Sequence, residues 1–287
     1  MCPVKGVDQA EGLRKLLQQR PSRRLAFVSA IKPAYKDNLL LNLAVAGQQL
    51  AGELLILDAS AQPKGLADQL GCHPDQALLD TNAAVQNHDV SSYQPGIFIS
   101  RLSHSPLNSK LQDPAVHSAA AEALRSTLEG YTQCLIDLSI DNDALLDSPA
   151  LHNCDVLILG SPDPEQVTLA YTLVKRLHQS HPLRQFKLLL TACTQQQASL
   201  VEKNLNHTCK QFLGITLELI GTLAPEGPFE ICAQRRETVF ELFPGSKASA
   251  LYRDLAHRLL SSPADSTAVP TAEPDPDPDL TGVGEHV

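Results

Sequence analysis

Two short apolar runs in this chain each end in a carboxylate: Leu54-Leu55-Ile56-Leu57 is closed by Asp58, and Cys134-Leu135-Ile136 by Asp137. A third run, Leu25 to Val28, opens into a loop, Ser29 to Asp37, that carries Lys36 and Asp37 side by side. An acid at the end of a buried strand, near a loop that wraps phosphate, is an arrangement for phosphoryl transfer, because the acid contacts Mg²⁺ through water. Such a loop is normally glycine-rich, so that backbone N–H groups can approach the phosphates, and a Lys and a Ser/Thr follow. This loop has no glycine. Tyr35 and Pro33 add bulk where close approach is needed, and Pro33 has no N–H to donate. Strand-terminal acids also cap loops or face water at sheet edges, so Asp137 alone assigns no chemistry.

Elements that could position these residues are legible around them. Leu25–Val28 and Leu54–Leu57 are apolar without alternation, as strands buried on both faces require. Between them, Leu39, Leu43, Ala46 and Leu50 recur at three- and four-residue steps, which predicts a helix from Asn38. Strand, loop, helix and strand together open a doubly wound α/β domain with a mostly parallel sheet and helices on both faces. Further strands are expected at Gly96–Ser100, Cys134–Asp137, Asp155–Gly160, Lys187–Leu190 and Leu217–Gly221. Helices are expected at Asp113–Leu128 (apolar at Val116, Ala120 and Leu124), Gln166–Gln179 and Ala248–Leu260, the last with a stripe of Leu251, Leu255 and Leu259.

Composition narrows the function classes. The formal charge of the 287 residues is −9, and Ser261 to Val287 hold six acids and no Lys or Arg, leaving about −3 for the rest. A nucleic-acid binder would need a basic face, so that class is disfavoured. Seven cysteines, an odd number without a CxxC, point to a reducing cytosol and no zinc site. His73, His88, His104 and His117 are too scattered for a metal-ligand pattern. No apolar run approaches the length of a membrane span. The tail 261–287, with prolines alternating with acids, is expected to be disordered.

The region around the loop resembles the MinD/ParA family of P-loop ATPases, whose loop reads GKGGVGKT ahead of an Asn-Leu-Ala helix. The resemblance rests on Ser29, Lys36, Asn42-Leu43-Ala44 and Leu57-Asp58-Ala59. It continues through Asp163-Pro164-Glu165 and the helix after it to Phe240–Ser249, in all from Asp8 to about Leu260. It implies that Lys36 takes the phosphate-binding position and that Asp37 stands where a threonine would hold Mg²⁺. Ile31 falls at the second, dimer-bridging lysine, and Lys32 is one residue out of register. Ser60 replaces an acid that helps place the attacking water, and Thr191-Ala192 replace an asparagine that reads adenine. What remains of a nucleotide site is therefore Lys36, Asp37, Asp58 and Asp137.

Upstream, the basic segment before Arg24 contains Asp8-Gln9-Ala10-Glu11-Gly12-Leu13-Arg14-Lys15-Leu16-Leu17. Asp8 could cap a short helix with Glu11 completing a capping box, and Ala10, Leu13 and Leu17 would share one side. On composition alone this reads equally well as a frayed terminal helix. Its pattern, DQAxxLR, is similar to the N-terminal motif of the FlhG/FleN group, regulators of flagellar number and placement. The resemblance implies that Asp8, Gln9, Ala10, Leu13, Arg14 and Leu17 bind a partner, an FlhF-type GTPase.

The expected organisation is a partner-binding segment 1–23, a MinD/ParA-like domain 24–260 and an acidic tail 261–287. The expected function is that of a pseudo-ATPase regulator with no cofactor. It would be cytoplasmic, with recruitment to a cell pole through partners, and a monomer or weak homodimer regardless of nucleotide. Two alternatives stay open. One is an active MinD-like ATPase using ATP and Mg²⁺ through an atypical loop. The other is a MinD-like adaptor for another envelope machine, such as polysaccharide secretion.

Overall fold

The structure, a computed structural model, describes residues 22–60, 65–71, 77, 90–103, 106–224 and 227–261. The segment 8–17 and the tail beyond Ser261 lie outside these residues, as do His73, His88 and His104. One eight-stranded sheet runs through the described residues, in the order β3-β4-β2-β5-β1-β6-β7-β8. Its strands are β1 (Arg23–Ser29), β2 (Leu54–Ala59), β3 (Val90–Gln94), β4 (Ile97–Arg101), β5 (Gln133–Leu138), β6 (Asp155–Gly160), β7 (Phe186–Leu190) and β8 (Glu218–Thr222). All neighbouring pairs are parallel except β3 with β4.

The central strands are apolar on both sides because both faces are covered. Every residue of β2 and β5 is buried. On one face pack α3 (Pro114–Glu129), α4 (Pro164–Ser180) and α5 (Gln195–Leu213), over Ala26, Val28, Leu55, Leu57, Ile136 and Ile158. On the other lie α1 (Pro33–Ala51) and α8 (Lys247–Leu260), with α6 (Gly227–Arg235) and α7 (Val239–Leu242), over Leu25, Phe27, Ile56, Leu135 and Leu157. Among the described residues between β2 and β3 lies a short helix, α2 (Leu66–Gln69). This is the doubly wound α/β sheet expected from the sequence, and among the described residues no helix is long and apolar enough to cross a membrane.

Three local expectations are corrected. Helix α1 begins at Pro33 rather than Asn38, so Lys36 and Asp37 sit in its first turn and not in a loop. Pro33 occupies a position where the N–H would have no intrahelical partner, so its missing donor costs the helix nothing. Leu50 and Val116, read as apolar-face residues, are exposed, and each lies in a terminal turn, Leu50 at the end of α1 and Val116 at the start of α3. Strand β3, half-buried and paired antiparallel at the sheet edge, has no counterpart among the expected strands.

A polar pair locks α1 to the last part of the chain. Asn42 is fully buried, donates to Asn38 O at 2.8 Å, and accepts from the Val239 N–H at 2.8 Å. Asn38 in turn donates to Glu237 O at 2.9 Å. Next to it, Thr238 and Glu241 form the capping box that starts α7. Removing Asn42 orphans a buried amide, so Asn42→Ala should lower the urea-unfolding free energy by about 1–3 kcal/mol. Leu50→Ala on the exposed end of the same helix should stay within about 0.5 kcal/mol. Equal effects of the two would sink this account.

Candidate functional site

Parallel pairing places the strand-terminal acids together at the C-terminal edge of the sheet, where ligands bind in open α/β folds. Asp58 and Asp137 are register partners on adjacent strands β2 and β5. Strand β1, next to β5, feeds the turn into α1 and so delivers Lys36 and Asp37 to the same place. All four residues predicted as the remains of a nucleotide site are brought together, and all four are buried.

Most of their polar atoms are engaged within the domain, while Asp37 Oδ1, though beside the Lys36 ammonium, is buried without a hydrogen-bond partner. The Lys36 ammonium donates to Asp137 Oδ2 at 2.5 Å and lies 3.2 Å from Asp37 Oδ1. The other oxygen of Asp37 accepts from the Gln69 amide of α2. Asp58 Oδ1 accepts from the Ser60 hydroxyl at 2.6 Å and the Ser60 N–H at 3.1 Å, while Oδ2 accepts from the Ala67 N–H at 3.3 Å. Arg101, itself 2.6 Å from Asp68, stands 3.7 Å from that second oxygen. Asp58 thus caps the start of α2 and fastens it to the sheet. A Cβ on Gly65 would collide with that carboxylate, so the chain must have glycine there to pass so close.

Burial dominates the titration of this group. Desolvation pushes Asp137 up to about 6, with the Lys36 charge pulling the other way and the Asp58 charge adding to the rise. Asp37 is raised for the same first reason, against the attraction of Lys36. Burial alone would depress Lys36, but the facing Asp137 and Asp37 reverse this and hold its pKa above the ordinary value.

The turn's backbone is also committed. The Ala30 N–H bonds Leu159 O at 2.9 Å, and the Ile31 N–H bonds Ser29 Oγ at 3.2 Å. Tyr35 and Lys36 both donate to Lys32 O at 3.1 Å. With Pro33 lacking an N–H, only Lys32 and Ala34 could present amides to a phosphate between Ala30 and Lys36.

Two clefts adjoin the group. A polar one of about 310 Å³ is lined by Lys36, Asp37, Ser60, Gln69 and Asp137, with Leu169 of α4 at its rim. An apolar one of about 300 Å³ lies on the other side of the turn, walled by Ile31, Leu39, Ala192, Leu223, Phe229 and Tyr252. Ala192 holds a left-handed φ of 52° there, a conformation that strains a non-glycine residue. Gln69, Gly65 and Arg101 were not singled out in the sequence. They come from a short helix, a turn and a strand end without a motif, and only the acids they serve are visible in the pattern.

With this geometry in hand, the likeness to known proteins is clear. No family model matches the chain. MinD of Aquifex aeolicus superposes with a TM-score of 0.57 at 17% identity, covering 82% of this chain and 97% of that one. A MinD of Pyrococcus horikoshii solved with Mg-ADP gives 0.57 at 16%, covering 82% and 95%. A ParA family ATPase of Chlorobium tepidum gives 0.56 at 16%, covering 82% and 98%. In sequence, the chain is 23% identical over 254 residues to the antiactivator FleN of Pseudomonas aeruginosa, covering 88% of this chain and 91% of FleN. The chain has the MinD/ParA fold and resembles FleN in sequence. Among its described residues Lys36 is already paired with two carboxylates and most amides of the turn are taken, which leaves little free to hold a nucleotide's phosphates.

A carboxyl whose folded pKa lies above its unfolded value binds more protons when folded, so its contribution to stability falls as pH rises through that interval. For Asp137 the interval runs from 3.8 to about 6. Measured against Asp137→Asn, the wild-type chain should lose stability between pH 4 and 6, roughly, and run parallel to the variant above that range. Urea unfolding across pH checks this, and a difference that is flat or grows with pH in that range would reject it.

Proposed function

We propose that this FleN-like chain is a non-catalytic regulator of flagellar number or placement, which acts by binding partners and not by turning over nucleotide. The observation that carries the reading is the closed polar group, in which Lys36 is held between Asp137 and Asp37. A phosphate entering there would have to displace two carboxylates from the ammonium and would meet the net negative charge they leave behind. ATP and Mg²⁺ could then gain little from a turn that offers two amides and no glycine.

The resemblance of Asp8-Gln9-Ala10 and Leu13-Arg14 to the FlhG/FleN motif supports an FlhF-type GTPase as the partner, and the name antiactivator borne by FleN supports a regulatory output. The segment would order on docking, presenting Leu13 and Leu17 to an apolar groove and Arg14 to an acid or phosphate. Ordering opposes binding, so affinity should be modest and concentrated in a few side chains.

Titration calorimetry with ATP and Mg²⁺ should show no heat beyond dilution, and light scattering should show no change of oligomeric state on adding ATP. Micromolar binding with turnover that disappears in Lys36→Ala would establish instead the active ATPase with an atypical loop. Separately, Gln9→Ala with Leu13→Ala should abolish binding to, or stimulation of, an FlhF-type GTPase, while Lys36→Ala leaves both intact. The opposite pattern would reverse the assigned roles. Full activity of both variants would remove the N-terminal segment from the interaction, and no binding to an FlhF-type GTPase by the wild-type chain would favour an adaptor for a different envelope machine.

A further inference from the structure

At the end of the sheet remote from the polar group, the structure carries an uncovered cleft of about 380 Å³ between the starts of β7 and β8. Its lining includes Arg184, Phe186, Lys187, Gly214, Leu217 and Glu218. Two large apolar side chains flank it in sequence. Leu183, adjacent to Arg184, is 98% exposed, and Phe212, two residues before Gly214, is 65% exposed. Apolar side chains exposed singly are common on protein surfaces, but these two flank the cleft's lining segments 184–187 and 214–218 on their N-terminal sides. Glu218 is exposed and forms no ion pair with another described residue.

The start of the described chain lies close by. Arg23 opens β1 and is tied by a 2.7 Å ion pair to Asp155 at the start of β6, and Asp155 also pairs with Lys187 of β7 at 3.1 Å. From β1 across β6 and β7 to β8 is three strand spacings, about 14 Å. Five residues separate Leu17 from Arg23, and the six steps between them reach about 20 Å when extended. The stretch Asp8–Leu17, if helical, would be about 15 Å long. It can therefore lie over the cleft without strain on its tether.

We propose that the chain's own N-terminal segment, Asp8–Leu17, docks in this cleft, with Leu13 and Leu17 covering Leu183 and Phe212 and Arg14 facing Glu218. The acidic tail also leaves the domain nearby, since Arg23 donates to Leu259 O at 2.7 Å. It is a poorer occupant, because its prolines and aspartates offer little apolar surface to a leucine and a phenylalanine. Docking in cis hides the side chains that the proposed partner would need, so the cleft and the partner compete for one segment. The docking itself does not rest on who that partner is.

Hydrogen exchange of the full-length chain tests this directly. Amides of residues 10–17 should exchange at least about tenfold more slowly in wild type than in Leu183→Ser/Phe212→Ser, whose changes lie on exposed side chains. Leu13→Asp should lose the same protection with the domain unaltered. Glu218→Arg should weaken the protection, and adding Arg14→Glu should restore it. Identical exchange in wild type and the cleft variant would overturn the proposal. So would protection that moves to residues 262–287, or protection that vanishes on dilution, which would identify the tail or a second copy as the occupant.

Discussion

The ion pair between Lys36 and Asp137 decides what this site can do. It joins the first turn of α1 to the end of β5 through two side chains that are themselves almost fully buried. Removing two charges from water is expensive, and their attraction repays that only when geometry and neighbouring hydrogen bonds are good. Here the ammonium has a second carboxylate in Asp37, and that carboxylate has Gln69. Breaking such a pair from one side typically costs about 3–5 kcal/mol, because the charge left behind is buried and unpaired. A ligand that drew Lys36 away would meet the same penalty at Asp137, against a burial that already favours the protonated acid.

The surrounding scaffold follows from the same demand for satisfied polar groups. Asp58 lies beside Asp137 with no ammonium of its own, so the chain gives it Ser60, the Ala67 amide and the edge of Arg101. Those contacts fix α2, and α2 supplies Gln69 to Asp37. The result is a closed circuit from β2 through α2 to α1 and back to β5. In that circuit every acid expected as a nucleotide contact has become a structural acceptor.

Much of this was legible in the sequence, and the limits have physical reasons. Unbroken apolar runs as short as Leu54–Leu57 read as two-sided buried strands, so the sheet and the meeting of Asp58 with Asp137 were expected from them. The start of α1 did not follow, because a proline inside a glycine-free loop reads as loop until its place at the first helical turn is seen. Leu50 and Val116 keep the helical period in terminal turns and are exposed, and period alone does not report which turns of a helix are covered. Strand β3 is short and polar, with no apolar alternation to announce it. Gln69 and Arg101 were illegible for another reason: their roles exist only relative to acids distant in sequence.

The persistence of Lys36 and Asp137 beside so many altered positions would ordinarily suggest surviving chemistry. The structure gives a different reason for their presence. Each is a counter-charge of the other in a buried setting, so replacing Lys36 would leave Asp137 and Asp37 without their cation, whereas glycines of a phosphate loop carry no such obligation. A proline at the start of α1 and a tyrosine facing the apolar cleft disturb no such pair. The two clefts are of similar size and differ in what lines them: charge-paired side chains in the polar one, and Ile31, Leu39, Phe229 and Tyr252 in the apolar one.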